Sequence, residues 1–212
     1  SGADGALLVD CYYNGPSSLE LRKEYYGVVA EAVPDIPLVP YIIPGRTGTA
    51  MTPEDLAILA SEYPNIRAVK EATGDIERMK RTRELVGEDF DILSGDDDVT
   101  FDIMVNKKIR ASGVISVVSN AAPGFVGKMV SGILSGDEYE AKKAHQALQS
   151  LFKIVTVKSR DNRTINGKGT FCVEDKFRNP LPIKVLMNGL GMAAGPCRRP
   201  LGKMSTSGIE IV

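Results

Sequence analysis

Histidine is almost absent from this 212-residue chain: the one present, His145, lies in Glu140-Ala141-Lys142-Lys143-Ala144-His145-Gln146-Ala147. A mechanism built on a histidine dyad, or a metal centre built from several imidazoles, is therefore excluded. In a helical stretch with no second ligand of matching type, His145 reads as a packing or surface residue. Cysteine is scarce too. Cys11, Cys172 and Cys197 are odd in number, far apart and without a Cys-x-x-Cys pair. That argues against a disulfide frame or structural zinc and for a reducing, cytoplasmic setting. Neither sign of charge is in excess. Lysine and arginine total 26 against 27 acids, a formal net charge of −1, so bulk electrostatics recruit neither nucleic acid nor anionic lipid. No apolar run approaches the roughly 20 residues that span a bilayer. Ser1-Gly2-Ala3-Asp4 has no basic segment followed by an apolar one and no initiator Met, and reads as a cut end.

What is present is a rhythm. Short apolar runs recur at Ala6-Leu7-Leu8-Val9, Pro37 to Ile43, Ile66 to Lys70, Phe90 to Leu93 and Gly113 to Val118. Between them lie helical patterns over 19–33, from Thr52-Pro53-Glu54-Asp55 onward, over 76–86 and, more briefly, over 97–106. Thr52 is a capping residue with Pro at the first helical position and acids in the first turn, and Gly87 closes the helix that follows Thr73-Gly74-Asp75. Near-continuous apolar strands alternating with amphipathic helices predict a parallel sheet covered by helices. No Gly-x-Gly-x-x-Gly or Gly-x-x-x-x-Gly-Lys-Ser/Thr turn follows a strand, which weakens a nucleotide-binding open sheet. Polar, varied segments follow the strands instead, as on the catalytic face of a (β/α)8 barrel. Such a barrel takes about 250 residues, and five strands are legible here. The expectation is α/β: a TIM barrel lacking about its first three βα units, with strands 4–8 in residues 1–122. Residues 123–212 are expected to form a C-terminal helical region, with helices over 125–134, 137–155 and 182–191 and a solvated loop or hairpin over 158–180.

Lys70 is the sharpest chemical feature. It ends a run that should be a buried strand, and desolvation lowers an amine's pKa and frees it to attack a carbonyl. An ordinary strand-end lysine paired with Glu71 is the plainer alternative. Tyr41 lies in the preceding strand, so adjacent strands would bring its phenol near Lys70 as a proton relay, or leave it a core tyrosine. Arg46 follows in a loop, where its guanidinium could grip a carboxylate. Asp96-Asp97-Asp98 is read as helix-start capping rather than a metal site, because consecutive carboxylates cannot all converge on one ion. Tyr12 and Tyr13 are adjacent aromatics and, alone, a weak signal.

Together these residues resemble the dihydrodipicolinate synthase (4-hydroxy-tetrahydrodipicolinate synthase) family. The matching stretches are Tyr12-Tyr13-Asn14-x-Pro16, Tyr41-x-x-Pro44-Gly45-Arg46-Thr47-Gly48, Val69-Lys70-Glu71-Ala72-Thr73-Gly74-Asp75, Leu93-Ser94-Gly95-Asp96-Asp97 and Gly113-Val114-Ile115-Ser116-Val117, in family order. Asn179-Pro180-Leu181-Pro182-Ile183-Lys184 and Arg199-Pro200-Leu201 resemble its C-terminal region. The resemblance implies a class I lyase of lysine biosynthesis. Lys70 would form a Schiff base with pyruvate, and the derived enamine would attack aspartate semialdehyde. Tyr41 would shuttle protons, Arg46 would bind the semialdehyde carboxylate, and Gly95 and Ile115 would line the pyruvate pocket. Tyr13 would cross a dimer interface into a neighbour's relay, so a homo-oligomer (dimer or tetramer) is implied; no metal or organic cofactor is needed, and neither nucleic acid nor membrane is a partner. The chain departs from the family at Ile42, where Asn is frequent, and the family's paired-threonine loop belongs to the units not represented here. The alternatives are N-acetylneuraminate lyase or a 2-keto-3-deoxy sugar-acid aldolase, which share the Lys and Tyr, or an inactive fragment acting as an assembly module.

Overall fold

In the computed structural model, which describes residues 2–212, the chain forms two compact units, one reaching Ile115 and the other running Ser116–Val212. The first alternates strand and helix. β1 (Ala6–Val9) is followed by α1 (Ser18–Glu20), which continues through a π-helical stretch, Leu21–Tyr26, into α2 (Gly27–Ala32). Then come β2 (Leu38–Ile42), α3 (Pro44–Thr47), α4 (Pro53–Glu62), β3 (Ala68–Glu71), α5 (Ile76–Val86), β4 (Asp91–Ser94), α6 (Thr100–Val105) and β5 (Gly113–Val114). Local chemistry sets the boundaries. Ser17 and Glu20 form a reciprocal capping box at the start of α1. Thr52 accepts the Asp55 N–H ahead of α4, Asp75 accepts the Arg78 N–H ahead of α5, and Gly87, at φ 77°, ends α5.

All five strands are parallel, and their order across the sheet is β1-β2-β3-β4-β5. A doubly wound sheet reverses its order at a switch point and carries helices on both faces. Here the order never reverses and one face takes the helices. Leu38, Ile42, Val69 and Ile92 on that face are at most 1% exposed, packed in a core with Leu21, Tyr26, Leu56, Leu59, Met79 and Ile103. The alternate residues Leu7, Val9, Tyr41 and Lys70 share the other face, where Leu7 is 45% and Val9 39% exposed. The arrangement is a singly wound arc of a (β/α) barrel, with its concave face carrying Lys70.

The second unit contains α7 (Pro123–Ser135), α8 (Glu138–Phe152), β6 (Thr156–Ile165), β7 (Gly169–Arg178), α9 (Leu181–Gly189) and α10 (Thr206–Ile209). The run Gly113 to Val118 is a strand only at its first two residues. Ser116 Oγ then accepts the Ser119 N–H, and Val118–Asn120 turns as a 3-10 helix. α7 and α8 pack closely because Gly132 lies against Ala141, where an added Cβ would come within 3.1 Å of the alanine methyl. Residues 123–212 are not helical throughout. β6 and β7 pair antiparallel from Thr156↔Arg178 to Ile165↔Gly169, ten residues a side. Gly167 and Gly169, both at positive φ, make the turn possible, and cross-strand pairs such as Arg163–Asp175 tie the ribbon together. Its base belongs to a core of Ile154, Val157, Leu181, Ile183 and Met204, with Phe177 packed against it. No helix among the described residues is long and apolar enough to cross a membrane.

Candidate active site

The parallel register assembles the site. Tyr41 of β2 pairs with Lys70 of β3, and Lys70 pairs with Leu93 of β4. Paired residues share a face, so the phenol and the amine project together at the C-terminal ends of their strands. Lys70 Nζ sits 3.9 Å from the centroid of the Tyr41 ring. Lys70 is only 8% exposed. Burial pushes its ammonium below the ordinary lysine range, and the Arg46 charge acts in the same direction, while Asp96 and Asp97 oppose both. Burial also raises the Tyr41 phenol, with Arg46 lowering it and Asp96 raising it. A shielded amine whose charged form is disfavoured, lying on a phenol that keeps its proton, is arranged for nucleophilic attack with a proton source at hand.

The mouth is held by hydrogen bonds running strand to strand. Asp10 N–H donates to Tyr41 O at 3.1 Å, Ala72 N–H to Ile42 O at 3.0 Å, Gly95 N–H to Glu71 O at 2.7 Å and Ile115 N–H to Ser94 O at 2.9 Å. Gly95 and Ile115 thus follow β4 and β5 directly, at the same end of the sheet as Lys70. Gly95 leaves no room for a side chain. A Cβ there would lie 2.6 Å from Ala72 Cβ, 3.0 Å from Glu71 O and 3.2 Å from Lys70 Cε. Gly95→Ala is expected to cost about 1–3 kcal/mol of stability by overpacking. Ala72→Gly combined with it should recover part of that loss, a coupling that a double-mutant cycle of urea melts would measure.

Arg46 lies in α3, a single turn that Pro44 starts and that Gly48, at φ 75°, ends. Its side chain is exposed, yet close enough for its charge to act on both Lys70 and Tyr41. Tyr13 is not drawn into this cluster within one chain: it has φ 75° and is 93% exposed, beside Tyr12 at 73%. The acidic run plays another part than the capping expected for it. α6 begins at Thr100 with Val99 at its N-cap and no side-chain cap. The intervening residues turn back on themselves, Ser94 Oγ donating to Asp96 O at 2.8 Å with Thr100 Oγ1 equally near. That turn sets Asp96 where its charge reaches Lys70 and Tyr41. Burial, then Asp98 and Asp97, raise the Asp96 carboxyl, and Lys70 lowers it.

Behind the site, on the helix-covered face, lies a buried polar layer that the sequence did not announce. Tyr26 Oη donates to Asp10 Oδ1 at 2.6 Å, and Asp10 is fully buried. Arg78 Nε donates to Glu71 Oε2 at 3.2 Å, while another of its guanidinium nitrogens donates to Met51 O. Burial raises both the Asp10 and the Glu71 carboxyls, and Arg78 pulls each back down. These groups brace the backbones beside Tyr41 and Lys70 from outside the sheet. Spacing in the sequence could not pair them, because Asp10 directly follows β1, while Glu71, Arg78 and Tyr26 come from β3, α5 and the π-helical stretch.

Residues 1–168 match the model of the dihydrodipicolinate synthetase family. Proteins from Methanothrix thermoacetophila and Pelobacter propionicus, both named 4-hydroxy-tetrahydrodipicolinate synthase, are 39% and 37% identical to the chain, over 97% and 96% of its length. Each alignment spans 61% of the relative. Among solved structures, dihydrodipicolinate synthase from Aquifex aeolicus superposes with a TM-score of 0.82 at 36% identity. It covers 99% of this chain and 63% of its own. The enzyme from Cyanidioschyzon merolae with lysine bound gives 0.83 at 32% identity, with the same coverage. The chain therefore spans about three-fifths of the length of the relatives it matches.

Proposed function

This chain belongs to the dihydrodipicolinate synthetase family, and from that membership we propose that it carries the Schiff-base half of a lyase site that condenses pyruvate with aspartate semialdehyde. The observation that carries the proposal is the Lys70 amine, 8% exposed and 3.9 Å from the Tyr41 ring centroid. In this reading the neutral Lys70 amine attacks the ketone carbon of pyruvate, and the carbinolamine loses water to leave an imine. Loss of a methyl proton gives the enamine, whose carbon attacks the aldehyde to form the new carbon–carbon bond. The product amine then closes the ring onto the imine carbon and releases Lys70, giving 4-hydroxy-tetrahydrodipicolinate. Tyr41 passes the protons that dehydration and addition require. Arg46 takes the semialdehyde carboxylate, for which its exposed position at the mouth is suited, and Gly95 and Ile115 flank the pyruvate. Tyr13, with its ring outside its own chain's cluster, serves a neighbouring subunit's relay in a homo-oligomer. The setting is the cytoplasm, and the route is lysine biosynthesis.

The pH dependence follows from the electrostatics. Only the uncharged amine attacks, so formation of the pyruvate adduct rises with pH through the Lys70 pKa. That pKa lies below the ordinary value of 10.5 because the ammonium is buried. The Asp96 carboxylate stabilises the ammonium and so holds the limb up. Asp96→Asn is therefore expected to move the rising limb to lower pH, read as the rate of borohydride-trapped adduct between pH 6 and 10. An unmoved limb, or one shifted upward, contradicts this arrangement. The substrate assignment is tested by assaying condensation of pyruvate with aspartate semialdehyde beside cleavage of N-acetylneuraminate. Condensation without cleavage is the expected outcome, and robust cleavage overturns it.

A further inference from the structure

Helix α5 carries two largely buried arginines, and they serve opposite ends of the sheet. Arg78, in its first turn, works at the end that holds Lys70: Nε donates to Glu71 Oε2 at 3.2 Å, and a second nitrogen donates to Met51 O. Its side chain is 13% exposed and that of Glu71 1%. Arg83 works at the other end. It donates to Ile109 O at 2.8 Å, Phe90 O at 2.7 Å, Arg110 O at 3.3 Å and also Gly87 O, all carbonyls that precede β4 or β5. Arg78 differs in where its two partners lead. Glu71 follows Lys70 in β3, and Lys70 is held in register on both sides, by Tyr41 and by Leu93. Met51 ends the segment that carries Arg46. That segment is short and bonded to itself and to its surroundings. Arg46 N–H donates to Ile43 O at 2.9 Å, Thr47 Oγ1 lies 2.8 Å from Thr49 O, and Thr49 Oγ1 donates to Pro16 O at 2.7 Å. Met51 itself is fully buried, and its N–H faces the Asp10 carboxyl as a donor. One guanidinium thus fastens the segment bearing Arg46 to the strand bearing Lys70. A planar fork can meet a carboxylate and a carbonyl at once, whereas an ammonium is a single compact centre.

We propose that Arg78 is a positioning residue: it fixes the Arg46 segment against β3, and so sets where the carboxylate of the second substrate sits relative to the adduct on Lys70. This rests on the Schiff-base reading above. The two sides of the tie are unequal. Lys70 keeps its place through its pairing with β2 and β4 when the tie is cut. The Arg46 segment lies beyond the end of β2 and loses one of its few anchors. Cutting the tie therefore acts on the second substrate and spares the reaction with pyruvate. Charge alone does not fill the role. A lysine at position 78 keeps the charge but meets either Glu71 or Met51 O, not both.

Steady-state kinetics of the full chain, with borohydride trapping of the pyruvate adduct, test this beside a control in the same helix. Arg78→Lys and Arg78→Met are each expected to raise the KM for aspartate semialdehyde about 10-fold or more, within the roughly 10²-fold that a misplacement of about 1 Å can cost. The rate of adduct trapping should stay near its wild-type value. Arg83→Met should lower the melting temperature yet leave both quantities unchanged, because its carbonyls lie at the end of the sheet away from Lys70. Melting curves establish that each variant is folded at the assay temperature, and Arg78→Lys supplies the reading if Arg78→Met does not fold. A wild-type semialdehyde KM in Arg78→Lys overturns the proposal, as does an equal rise in Arg83→Met. A trapping rate that falls as far as the KM rises also overturns it, since Arg78 would then act on the nucleophile. These outcomes leave the Schiff-base reading intact. A wild type that forms no adduct, or forms it without condensation, overturns that reading and takes this inference with it.

Discussion

Lys70→Met is expected to lower condensation by roughly 10⁴-fold or more, the scale of removing a covalent nucleophile, while leaving the fold at least as stable as the wild type at pH 7. Methionine fills nearly the same volume and carries no charge into the pocket. The stability half of the prediction follows from the direction of the lysine's shift. Burial lowers the Lys70 pKa in the folded chain, so folding pays a desolvation cost whenever the unfolded chain holds that proton. The cost is fully present below the folded pKa and is lost as pH rises through the unfolded value near 10.5. Any thermal gain of Lys70→Met should therefore be largest at pH 6 to 7 and shrink as pH approaches 10.5, which melting curves across that range would record. A variant that loses activity through unfolding would show the opposite pattern, a lower melting point at neutral pH. A lysine serving only as a surface cation would lose neither activity nor a pH-dependent increment of stability.

Tyr41→Phe separates two contributions of one residue. The ring face that lies 3.9 Å from Lys70 Nζ survives the substitution, so the packing around the amine is kept. The hydroxyl is lost, and with it the proton relay. Turnover is expected to fall about 10²- to 10⁴-fold, the usual range for a general acid–base group, with the pyruvate KM changing far less than kcat. The rising limb of adduct formation should stay near its wild-type position, because the groups that act on the Lys70 charge are burial, Asp96, Asp97 and Arg46. A large shift of that limb would mean that the phenol acts chiefly by tuning the amine. Full activity in Tyr41→Phe would remove the relay from the mechanism.

Much of the first unit was legible because its signals are local. The run Ala6-Leu7-Leu8-Val9 is the first strand, and the helix from Ile76 to Val86 begins after a capping aspartate and ends before a glycine. Once the strands are known to be parallel and consecutive, the pairing of Tyr41 with Lys70 follows from barrel order. The hairpin was harder to read. β6 alternates apolar and polar residues only at its base, since Asp161 and Arg163 occupy the positions that would otherwise continue Val157. These side chains are satisfied across the ribbon and by α10, partners that come from distant stretches of sequence. The glycines of this stretch leave it open as a loop or a hairpin; the turn chemistry, Asn166-Gly167-Lys168-Gly169 between Thr-Ile and Thr-Phe-Cys-Val, is the signal that decides for a hairpin. The electrostatic part of Asp96 was hidden for a similar reason. Acids ahead of a helix commonly cap it, and only the adjacency of β3 and β4 turns this one toward the amine.

Peptide mapping after incubation with pyruvate and borohydride tests Lys70 as the nucleophile most directly. A single reduced pyruvate adduct on the peptide containing Lys70, absent from Lys70→Met and formed faster as pH rises from 6 to 10, is the predicted result. An adduct on another lysine, or none on a folded chain, contradicts it.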